Sequence, residues 1–264
     1  MTYHISATKL QTYQRCPKAY YFRYERQIKN PSFFGSNALG IALHKTLAHI
    51  YGYWHYLEPL PSRDWIEHCW SLYHTKLNPS QIEEGREILR KYYDSFIATL
   101  TALHQPLTVE GRIQTRLAIE NIEFNLTGRF DRLDWLDDGL ELIDYKSGKE
   151  RKELDSAEID LQIGLYYLAL EEKYKKSLKR LSLLYLRTGE KVSFDTTDAH
   201  KQLVKATIGK IALQLRYDCQ WEPAPGAKCQ TCSYSCYCSA VTENPLPLPD
   251  YAKPECELQL VLGF

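Results

Sequence analysis

The stretch that decides the fold is LTGRFDRLDWLDDGLELIDYKSG, residues 126–148. Apolar and polar residues alternate along it, a period of two that is typical of β-strands. The alternation predicts strands over 112–126 and 129–146. Within the second run stands Asp138-Gly139, a dipeptide that favours a two-residue turn. The sequence therefore predicts a β-hairpin around this turn.

The hairpin would bring three charged side chains together. With Asp138 and Gly139 as the turn, Lys146 lies opposite Asp131, and Asp144 lies diagonally from Asp131. All three then share one face of the sheet. The same face continues toward the turn as an expected apolar core of Leu133, Trp135, Leu140 and Leu142.

Two carboxylates beside a lysine suit metal-assisted hydrolysis. Oxygen ligands select magnesium or manganese. Such an ion polarises a phosphoryl oxygen and lowers the pKa of a bound water, while a lysine orients that water or stabilises charge on the phosphate. A solvated hairpin with a surface Asp144–Lys146 pair explains the same residues, and this stretch alone leaves both interpretations open.

The remaining elements predict a mixed α/β (α+β) fold, in which helices flank a central mixed sheet. Apolar residues at three- and four-residue spacing make residues 1–105 helical. Within that region we expect helices over 39–56, 64–76 and 81–103. After the hairpin we expect a helix over 159–174, strands over 178–187 and 191–194, a helix over 199–217 and an irregular segment over 221–264.

Composition restricts the class of protein. The chain has 264 residues, with 33 basic and 33 acidic ones, so its net charge is zero. Any nucleic acid must therefore be bound by a local basic surface. The first thirty residues offer one, in which tyrosines are interleaved with Lys9, Arg15, Lys18, Arg23, Arg26 and Lys29. No apolar run is long enough for a membrane helix and no signal peptide is recognisable, so we expect a cytoplasmic protein.

Eight cysteines in a cytoplasmic chain indicate metal or redox chemistry rather than disulfides. Cys229 and Cys232 are spaced as ligands, and Cys238 follows closely. Cys16 is a possible remote fourth ligand, and Cys236 is an additional candidate. Such a set can bind zinc or an iron–sulfur cluster.

Three further residues have ordinary structural explanations when read alone. His44 lies on an apolar helical stripe, where a core histidine is the default. Gln162 and Tyr166 are four residues apart on a predicted helix, and therefore share a face. Nothing in their local pattern assigns them a chemical role.

Several short motifs together resemble the PD-(D/E)XK nuclease superfamily, and specifically its RecB-like exonuclease branch. They follow the order of that branch from about residue 6 to residue 238. The motifs are Ser6-x3-Leu10-x2-Tyr13-x2-Cys16-Pro17-x2-Tyr20, Gly40-Ile-Ala-Leu-His44, Gly128-x2-Asp131-Arg132-x-Asp134, Asp144-Tyr145-Lys146-Ser147-Gly148, Gln162-x3-Tyr166 and the closing cysteines.

The resemblance implies a restriction-endonuclease-like fold and a set of site residues. It makes Asp131, Asp144 and His44 metal ligands, with the carbonyl of Tyr145 completing the coordination. It makes Lys146 the catalytic lysine, and it places Gln162 and Tyr166 beside the site and the DNA. Glu110 resembles an acidic position of some relatives, but it is equally well explained as a surface carboxylate.

The cysteines resemble the split arrangement of iron–sulfur RecB-like nucleases, including the AddB type and CRISPR-associated relatives. The resemblance implies a structural [4Fe-4S] cluster on Cys16, Cys229, Cys232 and Cys238. Zinc and simple buried thiols are the alternatives.

The function expected from the resemblance is that of a magnesium- or manganese-dependent deoxyribonuclease, an exonuclease acting on single-stranded or frayed DNA ends. It would work in DNA repair or CRISPR spacer acquisition, with a helicase or CRISPR-adaptation protein as possible partner. The alternative is a DNA-binding or adaptor subunit with little cleavage activity. We expect one nuclease domain over 1–264, divided into a helical region (1–105), a catalytic core (106–218) and a cysteine-rich tail (219–264).

Overall fold

The computed structural model describes residues 3–29, 38–119, 122–148 and 161–254. The chain divides into two compact units. The first comprises residues 1–6 and 35–208, and the second comprises residues 7–34 and 209–264.

The first unit is built on a six-stranded mixed sheet. Its strands are β1 (Tyr3–Ile5), β2 (Thr108–Ile119), β3 (Ile122–Leu136), β4 (Gly139–Lys146), β5 (Leu178–Tyr185) and β6 (Glu190–Asp195). β1 is parallel to β3 and β4 is parallel to β5, whereas the other neighbours are antiparallel. The expected mixed sheet with flanking helices is confirmed. The expectation of helix throughout residues 1–105 is wrong at its start, because β1 lies there.

The long strand β3 organises the sheet. β2 pairs with β3 from one end to the other, including Phe124–Leu126, which also pair with β1. Since a strand has only two edges, β1 lies on the edge opposite β2. β4 pairs with Arg132–Leu136 on that same edge. The stretch of β3 between these two partners contains Asp131.

The hairpin turn lies one residue earlier than the sequence predicts. Leu136 pairs with Gly139, so Asp137 and Asp138 form the turn. A side chain at Gly139 would overlap the carbonyl oxygen of Ser177, which explains why a glycine stands within the strand. The register shifts by two residues, which keeps the predicted face but changes the predicted partner.

A second glycine also lies inside a strand. The predicted break near Gly128 is wrong, because β3 runs through it. A Cβ at Gly128 would lie 2.8 Å from Cε1 of Tyr166, so the missing side chain makes room for that ring. Trp135 was expected in the core, but 54% of its surface is exposed. It is next to the last paired residue of the hairpin and lines an open cavity.

Three helices cover one face of the sheet: α3 (Ala38–Tyr53), α4 (Arg63–Ser71) and α5 (Pro79–Phe96). Their buried apolar residues pack together with Ile143, Tyr145 and Leu184 of the sheet and with Leu186, just after β5. α5 begins at a capping box, in which the side chain of Asn78 accepts from Gln81 N–H and the Gln81 side chain accepts in return. α6 (Leu161–Tyr174) contacts β2, β3 and β5.

The second unit starts with α1 (Ala7–Arg15), α2 (Pro17–Tyr20) and a π-helical turn over Tyr21–Glu25. The helix α7 (Asp198–Tyr217) contributes residues to both units. In the second unit, Tyr20 stacks on Trp221 with 5.6 Å between ring centroids. Tyr13 donates a hydrogen bond of 2.8 Å to Asp218. These tyrosines are therefore core residues of the unit.

After α7, the described residues of the second unit, 218–254, form no strand and no long helix, as expected. Two short 3-10 turns, Ala227–Thr231 and Ser235–Tyr237, contain Cys229 and Cys236, and each turn is followed directly by a further cysteine, Cys232 or Cys238. Among the described residues, no helix is both long and apolar enough to cross a membrane.

The close packing of α5 on α4 gives a first prediction. A Cβ at Gly85 would lie 2.5 Å from Cη2 of Trp70, which is fully buried. Gly85→Ala should lower the free energy of unfolding by about 1–3 kcal/mol through overpacking, measured by urea denaturation. Gly52→Ala on α3 is the control, because its nearest neighbour is a Val109 methyl at 3.2 Å. Equal losses in both variants would contradict the packing explanation.

Candidate active site

Three carboxylates are placed in a row across β2, β3 and β4. The pairs Val109–Arg132 and Gly111–Phe130 bracket Glu110 and Asp131. On the other edge of β3, the pair Arg132–Ile143 is followed by Asp131 and Asp144. Asp131 therefore lies opposite Asp144, and the predicted pairing of Asp131 with Lys146 is wrong.

Asp131 joins three elements through its two oxygens. Its Oδ2 accepts a hydrogen bond of 2.7 Å from the backbone N–H of Tyr145 on β4. Its Oδ1 lies 2.9 Å from Nδ1 of His44 on α3. Asp131 thus satisfies a backbone donor of the neighbouring strand and orients an imidazole at the same time.

Glu110 completes a group of possible metal ligands. One ligand atom each from His44, Glu110 and Asp131 lies within 4.8 Å of the other two. Glu110 has a φ of +49°, so its side chain does not follow the direction of a regular strand. Arg129 donates to it over 2.8 Å. One imidazole and two carboxylates are ligands suited to a divalent cation such as manganese.

Asp144 and Lys146 form an ion pair beside this group. Lys146 Nζ lies 2.7 Å from Oδ2 of Asp144, whose side chain is almost fully buried. Burial raises the pKa of Asp144 and the charge of Asp131 adds to the effect, outweighing the attraction of Lys146. A cation held nearby would favour the ionised carboxylate.

The pKa of His44 is also shifted. Burial lowers it, but the hydrogen bond to Asp131 and the negative charges of Asp131, Asp144 and Glu110 together raise the pKa above its ordinary value. The raised pKa of His44 is therefore a consequence of the excess negative charge around it.

A buried arginine supports the site from the other face of β3. Arg132 donates to the hydroxyls of Tyr145, at 3.0 Å, and Tyr92, at 3.2 Å. It also pairs with Asp134 and stacks on the ring of Tyr51. Burial lowers the pKa of Arg132, but these neighbours raise it well above its ordinary value. Arg132 stays charged and holds Tyr145, whose N–H in turn holds Asp131.

The structure brings together His44, Asp131, Asp144, Tyr145 and Lys146 from the predicted set. Tyr166 lies on α6 with its ring against Gly128. The side chain of Gln162 lies outside the described part of the chain. The roles predicted for these residues stay predictions. Glu110 was left open by the sequence, and it joins the group because β2 and β3 form a hairpin that the strand prediction divided differently.

The second unit contains a cavity with the predicted cysteines in its wall. Cys16, Cys229, Cys232 and Cys238 all line it, together with apolar residues such as Ala19 and Phe22. The four thiols are not in disulfides. Four thiols around an apolar cavity fit either an iron–sulfur cluster or zinc. Cys236, the competing candidate, is exposed to solvent.

A sequence profile of the PD-(D/E)XK nuclease superfamily matches residues 4–239. The chain belongs to this superfamily. Membership in the PD-(D/E)XK superfamily suggests a metal-dependent nuclease, a phosphodiesterase whose substrate is DNA. No curated protein matches the chain. The crystal structure of SSO0001 matches with 16% identity and a TM-score of 0.45, over 90% of this chain and 87% of that one.

The ligand group yields a prediction for His44. His44→Ala should raise the Mn²⁺ concentration needed for half-saturation by about tenfold or more, because one ligand is lost. Binding is measured directly from the electron paramagnetic resonance of free Mn²⁺. Glu110→Gln should act in the same direction.

His49→Ala provides the control on the same helix. His49 stacks on Tyr53, 4.2 Å between centroids, and its loss should leave Mn²⁺ binding unchanged. If His44→Ala lowers the melting temperature but not the affinity for Mn²⁺, then His44 is a core histidine and not a ligand.

Proposed function

We propose that this protein is a metal-dependent DNA exonuclease that acts on single-stranded or frayed ends. One observation carries the proposal of a metal-dependent nuclease: His44, Glu110 and Asp131 form a possible ligand group beside the Asp144–Lys146 pair. A cation site next to a lysine is the arrangement that phosphodiester hydrolysis needs.

We assign different roles in the reaction to the residues of the site. His44, Glu110, Asp131 and Asp144 would hold one or more divalent cations, with the carbonyl of Tyr145 as a further ligand. A divalent cation held by these residues would supply Lewis-acid polarisation of a phosphoryl oxygen and would lower the pKa of a water molecule. The N–H of Tyr145 keeps Asp131 oriented. Asp144 holds the ammonium of Lys146, whose charge stabilises the negative charge that develops on the phosphate.

DNA binding must come from local charge, since the net charge is zero. The basic residues of α1, α2 and the following π-helical turn are suited to contacts with phosphates. Tyr13, Tyr20 and Tyr21 are buried, so they do not offer free faces for stacking on bases. The choice of exonuclease over endonuclease, the preference for single strands and the roles of Gln162 and Tyr166 rest on the resemblance to the RecB-like branch.

For the cysteine cavity we propose a [4Fe-4S] cluster on Cys16, Cys229, Cys232 and Cys238, with zinc as the alternative. Phosphodiester hydrolysis transfers no electrons, so the cluster would act as a structural link. The ligands join residue 16 to residues 229–238. Closing so long a loop in the unfolded chain costs about 5 kcal/mol by analogy with a disulfide, and a cluster would remove that cost from folding.

The proposed setting is cytoplasmic DNA repair or CRISPR spacer acquisition, with a helicase or a CRISPR-adaptation protein as partner. This setting follows from the motif resemblance. The alternative of an adaptor subunit differs in one measurable respect, because an adaptor would bind DNA without cleaving it.

The central experiment compares Lys146→Ala with the wild type. Cleavage of end-labelled linear single- and double-stranded DNA is followed with Mn²⁺, Mg²⁺ or EDTA. Lys146→Ala should lower kcat by about 10²–10³-fold and leave DNA affinity unchanged, because the lysine acts on charge that develops during the reaction.

Lys179→Ala is the matched control, since Lys179 pairs with the exposed Asp138 near the hairpin turn. It should cleave at the wild-type rate. A circular single strand should resist an exonuclease, and its cleavage would indicate an endonuclease. Wild-type protein that binds DNA but cleaves it with neither metal would establish the adaptor alternative.

The cysteine assignment is tested with Cys16→Ala, Cys238→Ala and Cys236→Ala. Anaerobically purified wild type should be brown and contain iron and sulfide. The first two variants should lose the colour and melt at a lower temperature, whereas Cys236→Ala should match the wild type. Stoichiometric zinc without iron would reject the cluster, and a brown Cys238→Ala beside a colourless Cys236→Ala would exchange the two ligands.

A further inference from the structure

The end of β4 is held by a side chain from beyond the end of β5. The last backbone pair between these strands joins Lys146 and Tyr185. Next along the chain, Leu186 N–H donates to the Lys146 carbonyl over 3.0 Å. One residue farther, Nε of Arg187 donates to the Ser147 carbonyl over 2.8 Å. The guanidinium thus continues the ladder where the backbone no longer supplies it.

Arg187 is itself anchored to α5. Its Nη1 forms an ion pair with the carboxylate of Glu84. Lys91, two turns farther along α5, donates to the Arg187 backbone carbonyl over 3.3 Å. A planar guanidinium can make both side-chain contacts in one fixed geometry, which the single ammonium of lysine cannot. The Ser147 carbonyl is therefore connected to α5 through Arg187.

This connection lies next to Lys146, the last residue of β4. Strand ends open more readily than strand centres. The ammonium of Lys146 is carried on a flexible chain, and its position depends on the backbone to which it is attached. A misplacement of about 1 Å in a catalytic group can cost on the order of 10²-fold in rate.

We propose that Arg187 is a positioning residue for Lys146, acting through the Ser147 carbonyl with Glu84 as its anchor. The inference rests on the proposed catalytic role of Lys146. A direct phosphate contact is the competing role for an arginine near such a site. It is disfavoured because Arg187 is three-quarters buried and its charge is already paired with Glu84.

The experiment uses Arg187→Met, Arg187→Lys and Glu84→Gln in the full chain. Arg187→Met should lower kcat by about tenfold, with KM for DNA and Mn²⁺ affinity within about twofold of the wild type. Amide exchange at Leu186, measured by NMR, should rise by about tenfold, because release of the Ser147 carbonyl lets the end of β4 open and with it the adjacent bond from Leu186 N–H to the Lys146 carbonyl. Glu84→Gln, which keeps an acceptor for Arg187, should show a smaller change in both measurements.

Arg187→Lys separates charge from geometry. Lysine also binds phosphate, as a point charge, so in a phosphate-contact role Arg187→Lys would recover affinity that Arg187→Met loses, and the effect of Arg187→Met would appear in KM. Positioning requires the planar donor, so the kcat of Arg187→Lys should remain as low as that of Arg187→Met. A rise in KM that Arg187→Lys reverses would therefore overturn the proposal.

Arg63→Met is the matched control, because Arg63 forms an exposed ion pair with Asp94 of the same helix α5. It should change neither kcat nor exchange at Leu186. An absence of nuclease activity in the wild-type protein would refute the proposed function. Amide exchange at Leu186 would still decide whether Arg187 holds the end of β4. Unchanged exchange and unchanged kcat in folded Arg187→Lys would end this inference alone.

Discussion

The two hydrogen bonds of Asp131 are the interaction on which the site depends. Asp131 stands on β3 between the segments that pair with β1 and with β4. A buried backbone N–H in this region needs an acceptor, and Asp131 supplies one to Tyr145. Its second oxygen fixes the imidazole of His44. The carboxylate therefore joins β4 and α3 to β3 at the place where the backbone ladder is interrupted.

The same arrangement concentrates negative charge. Glu110, Asp131 and Asp144 occupy adjacent strands, while Lys146 pairs with Asp144 and Arg129 pairs with Glu110. Burial raises the pKa of Asp144, and the charge of Asp131 adds to that effect. Burial lowers the pKa of His44, but the surrounding carboxylates raise it above its ordinary value. The fold thus creates a local negative potential that favours the binding of a cation. The buried Arg132 contributes by fixing Tyr145 from behind, without entering the ligand group itself.

The placement of the charged side chains on one face of the sheet could be predicted from sequence, because side chains alternate between the two faces along a strand. Alternation along β3 and β4 placed Asp131, Asp144 and Lys146 on one face, and a two-residue register error preserves that result. The error arose because Gly139 was interpreted as a turn residue, whereas it is needed for close approach to Ser177. Gly128 was misinterpreted for the same reason, since the ring of Tyr166 takes its space. Contacts between distant segments cannot be inferred from a glycine's immediate neighbours.

Glu110 is a site residue whose position could not be predicted from its local sequence. Its motif is a lone acid, but its position follows from the pairing of β2 with β3, in which Ile119 opposite Ile122 sets the register for Glu110 opposite Asp131. This pairing brings Glu110 beside Asp131, and its φ of +49° sets the direction of its side chain apart from the alternation of β2. The register of this hairpin therefore decides whether Glu110 lies with Asp131 in the group of possible ligands, whereas His44 comes from α3. Strand pairing across the sheet, rather than any local motif, is therefore what places Glu110 beside Asp131.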